Sequence, residues 1–361
     1  AREDPRGFVE QAGDGLLVID EVQRLPELTL AVKAAVDRDR RPGRFILTGS
    51  SDVARIRGDK DSLAGRALSV RLHPLSQAEL RGSLGRGAFV DRLLERIDDP
   101  AGLAVAVPPS RVDVVELLLR GGYPSIREAG TRLRTAWLSD YVERLLGVDA
   151  REGGGRLDPL RLAAVLRLIA ANQSGELVKA RIAQEAALSA ASVTGYLDAL
   201  DRFYLTEDLH PWAVNLTARE IGRRKVRVGD SGLAAWLCGA SVGLLKDVVR
   251  GGKVFGALLE GFVVGELSAQ AGWAEVDYRL YHYRDRRGLE VDVIIELGDG
   301  RVIAVEVKSA AGLTGRHFAG LTDLKRKLGD RLAAGVVLAP VDEPMRYAEG
   351  LWGLPLNTLW E

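Results

Sequence analysis

The sequence predicts an α/β protein built from several domains. Three observations lead to this prediction. An apolar strand, a helix and a second apolar strand follow one another within residues 15–48, a long helical region occupies the middle of the chain, and two apolar strands follow a long helix near the C-terminal end. At 361 residues the chain is long enough for two or three domains, each with its own core.

The composition of the chain argues against three classes of protein: globally basic nucleic-acid binders, disulfide-rich proteins and membrane-spanning proteins. The chain has 50 Lys and Arg residues and 50 Asp and Glu residues, so its net charge of zero argues against a globally basic nucleic-acid binder but leaves room for a local basic patch. Its single cysteine, Cys238, excludes an intrachain disulfide framework and fits a reducing cytoplasm. No apolar run approaches the roughly 20 residues that a membrane span needs. We therefore expect a cytoplasmic protein without a membrane partner.

The first strand, residues 15–21, ends in two acids. Its apolar run Leu16–Ile19 predicts a parallel strand buried on both faces, and Asp20 and Glu21 follow directly. The carboxyl ends of such strands open onto the ligand crevice of an α/β sheet. Asp20 would hold a Mg²⁺ on a nucleotide phosphate and Glu21 would polarise a water, which is the pattern of a Walker B element. The alternative is an ordinary buried strand that happens to end in Asp-Glu.

A helix that begins near Pro26 connects this strand to a second one, Phe45–Thr48. Because such a crossover is right-handed, both strands should end at one edge, with Thr48 near Asp20 as a sensor of the γ-phosphate. No Gly-x-x-x-x-Gly-Lys-[Ser/Thr] loop occurs in the sequence. We therefore expect a truncated chain that begins after its phosphate loop and that binds ATP poorly or not at all.

Four short motifs occur in a fixed order, namely Val18–Gln23, Leu47–Ser51, Leu63–Arg66 and Pro74–Leu80. Together they resemble a family of prokaryotic AAA-type ATPases that carry a C-terminal domain of unknown function. The resemblance implies ATP and Mg²⁺ as cofactors, Asp20 and Glu21 as the Walker B acids, Thr48 as the first sensor and Arg66 as a phosphate-sensing arginine. For Arg66, a helix-end or surface ion pair is the alternative.

Residues 160–210 predict three helices and a short extended piece, a pattern that resembles a winged helix-turn-helix. The third helix carries Asp198 and Asp201 but only one cation, Arg202, so it suits packing or a protein partner better than base readout. A basic run that follows is the better candidate for contacting nucleic-acid phosphates, although such a run is often only a solvated face. Its members are Arg219, Arg223, Arg224, Lys225 and Arg227.

A second group of acids lies near the C-terminal end. The helix predicted over residues 255–270 carries Glu260 on an apolar face, where a carboxylate needs a partner, and Glu266, which we expect to be solvated. Strands 289–296 and 301–308 form a hairpin whose facing residues have numbers that sum to 598, so Asp292 lies opposite Glu306 with Cβ atoms about 5 Å apart. Two carboxylates this close call for a cation such as Mg²⁺.

The order Glu260, Asp292, Glu306 and Lys308 resembles the PD-(D/E)XK nuclease fold. The resemblance implies that the three acids hold Mg²⁺ and that Lys308 positions or activates the attacking water. The alternative is a solvated face on an edge hairpin.

We therefore predict a partial P-loop-type parallel α/β core that lacks the Walker A element, a helical and winged-helix middle, and a PD-(D/E)XK-like α/β C-terminal domain. The predicted domains are residues 1–82, 83–155, 156–250 and 251–361, with Gly153–Gly155 as a linker. The predicted function is that of an AAA-type ATPase that acts on or with DNA or a protein partner. A Mg²⁺-dependent endonuclease and a non-catalytic winged-helix scaffold are the two alternatives.

Overall fold

The computed structural model describes residues 1–50, 63–103, 107–149, 157–215, 217, 219 and 222–361. The predicted linker Gly153–Gly155 and the predicted boundary at residue 155 lie outside the described residues.

The N-terminal unit is a strand-helix-strand arrangement, as the sequence predicts. Its elements are α1 (Pro5–Glu10), β1 (Leu17–Ile19), α2 (Glu27–Arg38) and β2 (Phe45–Leu47). Strands β1 and β2 are parallel, with Val18 opposite Ile46. Residues from α1, α2 and β1 form a small apolar core of their own, separate from the main core of the chain. The parallel strand pair is thus confirmed.

The expectation that β1 is buried on both faces is wrong. Ile19 is buried in the small core, but Val18 is 56% exposed and Ile46 is 47% exposed. Among the residues that the structure describes, α1 and α2 pack on the face that Ile19 occupies, and successive residues of a strand point to opposite faces. The two-stranded sheet therefore presents an apolar face on the side away from the helices.

The middle of the chain is mainly helical. Its helices are α3 (Gln77–Leu80), α4 (Phe89–Glu95), α5 (Arg111–Arg120), α6 (Thr131–Arg144), α7 (Pro159–Ala171), α8 (Lys179–Glu185) and α9 (Ala190–Arg202). Its strands are β3 (Gly175–Glu176), β4 (Thr206–Leu209) and β5 (Lys225–Val228). The last three helices are those predicted over residues 160–210. Strand β5 lies between β3 and β4 and is antiparallel to both.

The C-terminal unit is a six-stranded mixed sheet between helices. Its helices are α10 (Ser231–Leu237), α11 (Val242–Lys246), α12 (Val248–Gln270) and α13 (Ala319–Leu328). Its strands are β6 (Tyr278–Arg284), β7 (Glu290–Leu297), β8 (Val302–Val307), β9 (Leu332–Ala339), β10 (Met345–Ala348) and β11 (Leu351–Pro355). The strand order is β10-β11-β9-β8-β7-β6, and β8, β9 and β11 run parallel. Helices α12 and α13 contribute to different apolar clusters that meet this sheet.

The predicted hairpin register is confirmed over residues 293–296 of β7 and 302–305 of β8, and the predicted pair Asp292–Glu306 lies just beyond these residues. Val293 lies opposite Val305 and Glu296 lies opposite Val302, so the paired numbers sum to 598. On its other side β7 carries a bulge, because Tyr281 lies opposite Ile294 while Tyr283 lies opposite Val291. Asp292 belongs to this bulge, a feature that re-aims side chains near the ends of strands.

The main apolar core extends from Ala78 to Trp360 and draws on the helical middle and on one side of the C-terminal sheet. The predicted domain boundaries at residues 82, 155 and 250 stay predictions. Within the described part of the chain, no helix is both long and apolar enough to cross a membrane.

Candidate functional site

The first candidate site lies where β1 and β2 end. Asp20 follows β1 and Thr48 follows β2, and the Thr48 hydroxyl donates a hydrogen bond to Oδ1 of Asp20. The Thr48 amide donates to the Ile19 carbonyl at 2.9 Å, which continues the parallel pairing to this edge. Both side chains are exposed. The predicted position of Thr48 beside Asp20 is therefore confirmed.

Glu21 occupies the next position in an unusual backbone conformation. Its φ of 52° lies in the left-handed region, which few residues with a side chain adopt and which often occurs at functional sites. Its Oε2 accepts hydrogen bonds from the Gln23 side-chain amide and, at 3.3 Å, from the Ser50 hydroxyl. The turn thus gathers Glu21 into a polar group with residues that follow both strands.

Arg66 is engaged elsewhere. Its Nε donates to Oδ1 of Asp37 at 2.7 Å and its Nη2 to Oδ2 at 3.1 Å, so the guanidinium forms a two-point ion pair with α2. The hydrogen bond from Arg66 lowers the pKa of Asp37, and the same bond raises the pKa of Arg66. The structure therefore shows Arg66 in the surface ion pair that the sequence left open as the alternative.

The oxygen atoms of the first site suit a hard cation. Asp20 and Thr48 present carboxylate and hydroxyl oxygens at an exposed strand edge, and Mg²⁺ in nucleotide sites is held by one or two such groups together with water and phosphate. The residues present thus fit a Mg²⁺ that enters with a nucleotide.

The second candidate site is the C-terminal group of acids, and two lysines lie within it. The Nζ of Lys225, from β5, lies 2.8 Å from Oε1 of Glu260 and 2.6 Å from Oε1 of Glu290. The Lys225 side chain is only 5% exposed. Glu260 therefore has the partner that the sequence required, but this partner is a lysine.

Lys308 holds the other two acids of this site. Its Nζ lies 2.5 Å from Glu306 and 3.9 Å from Asp292. Asp292 also accepts a hydrogen bond from the Val307 amide at 2.8 Å, and the Asp292 amide donates to Oε2 of Glu306 at 3.3 Å. The structure thus brings together all four residues that the sequence grouped. We call Lys225, Glu260, Glu290, Asp292, Glu306 and Lys308 the acidic cluster.

Charge in the acidic cluster is balanced only in part, because four carboxyl groups face two ammonium groups. Burial, reinforced by the negative charge of Asp292, raises the pKa of Glu260 to about 8 and that of Glu306 to about 7. Burial alone would lower the pKa of Lys225, but the charges of Glu260, Asp292 and Glu290 outweigh it and raise that pKa above its ordinary value. Lys225 therefore stays charged, and the raised pKa values of Glu260 and Glu306 mean that these two acids take up protons more readily than free glutamates. At Glu290, by contrast, the effect of burial is outweighed by the charge of Lys225, which lowers the pKa of this acid.

The predicted Mg²⁺ site at Glu260, Asp292 and Glu306 is not formed in this arrangement. Across the described ranges, no three His, Cys, Asp or Glu side chains are grouped so that they could hold a metal ion. The physical reason is that ammonium groups lie where the carboxylates converge, and backbone amides take part of the remaining oxygens. The residues of the acidic cluster therefore do not fit a divalent cation while both lysines are in place.

The predicted phosphate-facing basic run does not form one exposed surface. Arg219 forms a two-point ion pair with Glu296 at 2.6 Å, Arg227 pairs with Glu207, and both arginines are buried. Arg224 lies 2.7 Å from Asp208. Of the five cations, Lys225 belongs to the acidic cluster and only Arg223 is largely exposed, at 68% of its side chain. The prediction of one exposed basic surface is wrong because Arg219, Arg224 and Arg227 are each paired with an acid of a neighbouring element. In addition, Lys225 and Arg227 lie buried in β5.

Glu290 was not predicted from the sequence as a site residue, and Glu266 was predicted to be solvated although it is buried. The spacing Glu290-x-Asp292 on a strand was the available signal for the first, since alternate residues share a face. Glu266 is buried and accepts the Gln77 amide at 3.0 and 2.9 Å, so the expectation of a solvated side chain is wrong. Burial raises its pKa to about 8. Gln77 begins α3, and the Pro74–Leu80 motif therefore serves to attach this helix to α12.

Comparison with known proteins divides the chain into three matched regions. Residues 1–81 match the model of an AAA domain, residues 111–243 match a domain of unknown function (DUF8612), and residues 255–359 match another (DUF4143). Two uncharacterized proteins, one from Mycobacterium bovis and one from Mycobacterium tuberculosis, are each 28% identical to the chain over 315 residues. These 315 residues are 86% of the chain and 63% of each relative, so the match spans less than two thirds of the relatives' length. No solved structure matches the chain significantly.

The two ends of the chain thus agree with the resemblance drawn from the motifs. The AAA match contains Asp20, Glu21 and Thr48, and the DUF4143 match contains Glu260, Asp292, Glu306 and Lys308. The matches support an AAA-type ATPase-like family whose members carry a C-terminal domain of unknown function.

Proposed function

We propose that this chain carries the magnesium-side acids of an AAA-type ATP-hydrolysing site. The observation that supports the proposal is the shared edge of β1 and β2, where Asp20 and Thr48 are joined by a hydrogen bond and Glu21 follows at once. The AAA match over residues 1–81 supports the same assignment.

Each residue has a distinct role in this proposal. Asp20 would hold Mg²⁺ through a carboxylate oxygen or a bound water, and Thr48 orients that carboxylate through its hydroxyl. Mg²⁺, when bound with ATP, supplies charge neutralisation on the phosphates. Glu21 would orient the attacking water, and its bonds to Gln23 and Ser50 fix where its carboxylate points.

The chain needs a phosphate-binding loop to complete this site. Because no Walker A loop occurs in the 361 residues, we propose that these residues act together with a Gly-Lys-Thr loop supplied from outside this sequence. On its own the chain should bind Mg-ATP weakly, with a dissociation constant far above the low micromolar range.

The test uses a protein in which this chain is joined to the proposed Gly-Lys-Thr loop. Steady-state ATP hydrolysis should fall at least 100-fold in Glu21→Gln and at least tenfold in Asp20→Asn. Asp14→Asn is the matched control, since Asp14 is an exposed acid of the same unit that pairs with Arg41 at 2.8 Å. Full hydrolysis by Glu21→Gln, or low-micromolar Mg-ATP binding by the 361-residue chain alone, would contradict the proposal.

A metal-dependent endonuclease is the second candidate. It requires a state in which Lys225 has left Glu260 and Glu290, because the acidic cluster does not fit a divalent cation while both lysines are in place. The gathering of Asp292, Glu306 and Lys308 at one end of β7 and β8 favours it, since these are the residues that the PD-(D/E)XK resemblance requires. Incubating supercoiled DNA with Mg²⁺ or Mn²⁺ tests it by comparing the wild type with Lys308→Ala. Nicking by the wild type alone supports the nuclease, whereas equal nicking by both proteins, or by neither, removes it.

A winged-helix binding scaffold is the third candidate, and a protein is its preferred partner. Helix α9 exposes Ser192, Thr194 and Asp198, which suit a protein surface better than a phosphate backbone. Salt-sensitive retention of DNA that is lost in Arg223→Ala/Arg224→Ala would favour DNA instead.

A further inference from the structure

Both pairs of carboxylates in the acidic cluster have an ammonium group between them. Lys225 lies between Glu260 and Glu290, and Lys308 contacts Glu306 and faces Asp292. Lys308 belongs to the same hairpin as its acids. Lys225 comes from β5, in the region that matches a different domain of unknown function. The cation at Glu260 is therefore delivered by another part of the chain.

The backbone holds Lys225 in this position. Strand β5 is paired on both sides, with Lys225 opposite Glu176 in β3 and opposite Leu209 in β4. The carbonyl of Arg223, two residues earlier, lies 3.0 Å from Nε2 of the buried His282 in β6. Lys225 thus differs from a mobile surface lysine, because its backbone is held by strand pairing on both sides and by the nearby contact of Arg223 with His282.

The position of the Lys225 Nζ leaves no room for a metal ion between Glu260 and Glu290. A Mg²⁺ binds carboxylate oxygens at about 2.0–2.1 Å. Oε1 of Glu260 and Oε1 of Glu290 lie 2.8 and 2.6 Å from Nζ of Lys225, so an ion bridging these two oxygens would overlap the ammonium group. Like charges would also repel across this short distance.

We propose that the acidic cluster is an internal lysine-binding site, that Lys225 is its occupant, and that Lys225 excludes divalent cations while β5 is docked. The cluster joins the β3-β5-β4 sheet to the C-terminal sheet through this contact. It becomes able to hold a divalent cation only when the ammonium group is removed. The proposal does not depend on ATP hydrolysis at Asp20 and Glu21.

The test is a titration with Mn²⁺ alone, in which the electron paramagnetic resonance signal of free Mn²⁺ reports binding to the 361-residue chain. The wild type should show no site tighter than about 1 mM, the range of a few scattered surface carboxylates. Lys225→Met, which keeps the apolar stem, should bind one Mn²⁺ at least tenfold more tightly. Lys225→Arg keeps the charge and should resemble the wild type, and adding Asp292→Asn or Glu260→Gln to Lys225→Met should remove the new site.

Two results would overturn the proposal. One is a wild-type Mn²⁺ site at tens of micromolar that Asp292→Asn removes. The other is a folded Lys225→Met, with unchanged far-ultraviolet circular dichroism, that gains no Mn²⁺ site.

A second measurement uses only the wild type, in case Lys225→Met does not fold. Acetylation by acetic anhydride, followed by mass spectrometry, should modify Lys225 at least tenfold more slowly than the exposed Lys253 of α12. Adding 5 mM Mg²⁺ should leave the Lys225 rate unchanged. A Lys225 that reacts as fast as Lys253, or one that Mg²⁺ makes reactive, would contradict the assignment.

Discussion

The two acidic sites of this chain differ in what surrounds their carboxylates. Asp20 lies in the open at the edge of a two-stranded sheet, where a hydroxyl of Thr48 is its side-chain partner. The acids of the acidic cluster are largely shielded from solvent. Lys225 lies between Glu260 and Glu290, and Lys308 contacts Glu306 and faces Asp292. An exposed carboxylate keeps its hydration and can accept a ligand, whereas a buried one needs a cation or a proton. The exposed site at Asp20 can therefore accept a cation from solution, whereas the buried acidic cluster already has its cations from lysines of the same chain.

The largest effect is expected from removing the cation of the buried site. Lys225→Met leaves Glu260 and Glu290 without their shared ammonium, and breaking a buried ion pair from one side typically costs about 3 kcal/mol. The free energy of unfolding, measured by urea denaturation at pH 7, should fall by about that amount. Lys253→Met, at an exposed position of α12, is the matched control and should stay within about 0.5 kcal/mol of the wild type. A loss below about 1 kcal/mol for Lys225→Met would mean that the acidic cluster, like the exposed site at Asp20, contributes little to stability, which would contradict the comparison.

A buried acid without a cation sharpens the same comparison. Glu266 forms no ion pair with any residue that the structure describes, and burial raises its pKa from 4.5 to about 8. Because the folded state holds the proton more tightly, this group's contribution to stability is complete below pH 4.5 and is lost as pH rises towards 8.

Glu266→Gln removes this titration while keeping an acceptor for the Gln77 amide. The variant should therefore gain stability over the wild type between pH 5 and pH 8, by at most about 1.4 kcal/mol per pH unit and hence by no more than about 4 kcal/mol over the whole range. Thermal unfolding across this pH range measures the difference. A constant difference between the two proteins at every pH would contradict the assigned pKa direction.

A smaller effect is expected at the Pro74–Leu80 motif, which the sequence grouped with the nucleotide motifs. The Glu79 amide donates to the Ser76 hydroxyl at 3.2 Å, and the Ser76 amide donates to the Glu79 carboxylate at 2.8 Å, so the two form a capping box. Ser76→Ala should lower the free energy of unfolding by about 1 kcal/mol, and Ser76→Thr, which retains a hydroxyl, should preserve most of the stability that the cap provides. Urea denaturation measures both. If Ser76→Ala changed nucleotide binding and left stability alone, the motif would belong to the first site instead.

The smallest effect is expected at the open site itself. Asp20→Asn keeps an acceptor for Thr48 at an exposed position, so the free energy of unfolding should change by no more than about 0.5 kcal/mol. Differential scanning calorimetry of the 361-residue chain measures this change. A loss above about 1.5 kcal/mol would mean that Asp20 supports the fold, and the contrast between the two sites would disappear.

Local sequence patterns predicted much of the fold. The parallel β1–β2 pair follows from two short apolar runs and an intervening helix, and the register of β7 against β8 follows from the length of their loop. These inferences hold because they depend on residues close in the chain. These inferences correctly predicted that Asp20 lies beside Thr48 and that Asp292 lies near Glu306 and Lys308.

What could not be predicted depends on distant packing. Lys225 is 35 residues from Glu260 and 65 from Glu290, and nothing local to β5 indicates that its side chain turns into the C-terminal sheet. The burial of Glu266 depends on the start of α3, 189 residues away. The exposure of Val18 depends on which helices cover the sheet, which an apolar run alone does not specify.

The most direct test counts Mn²⁺ ions on this chain together with the proposed Gly-Lys-Thr loop, joined in one protein, with and without a non-hydrolysable ATP analogue. We predict one Mn²⁺ per chain only when the nucleotide is present. This ion should be retained in Asp292→Asn and lost in Asp20→Asn. One Mn²⁺ bound without nucleotide, retained in Asp20→Asn and lost in Asp292→Asn, would contradict this prediction.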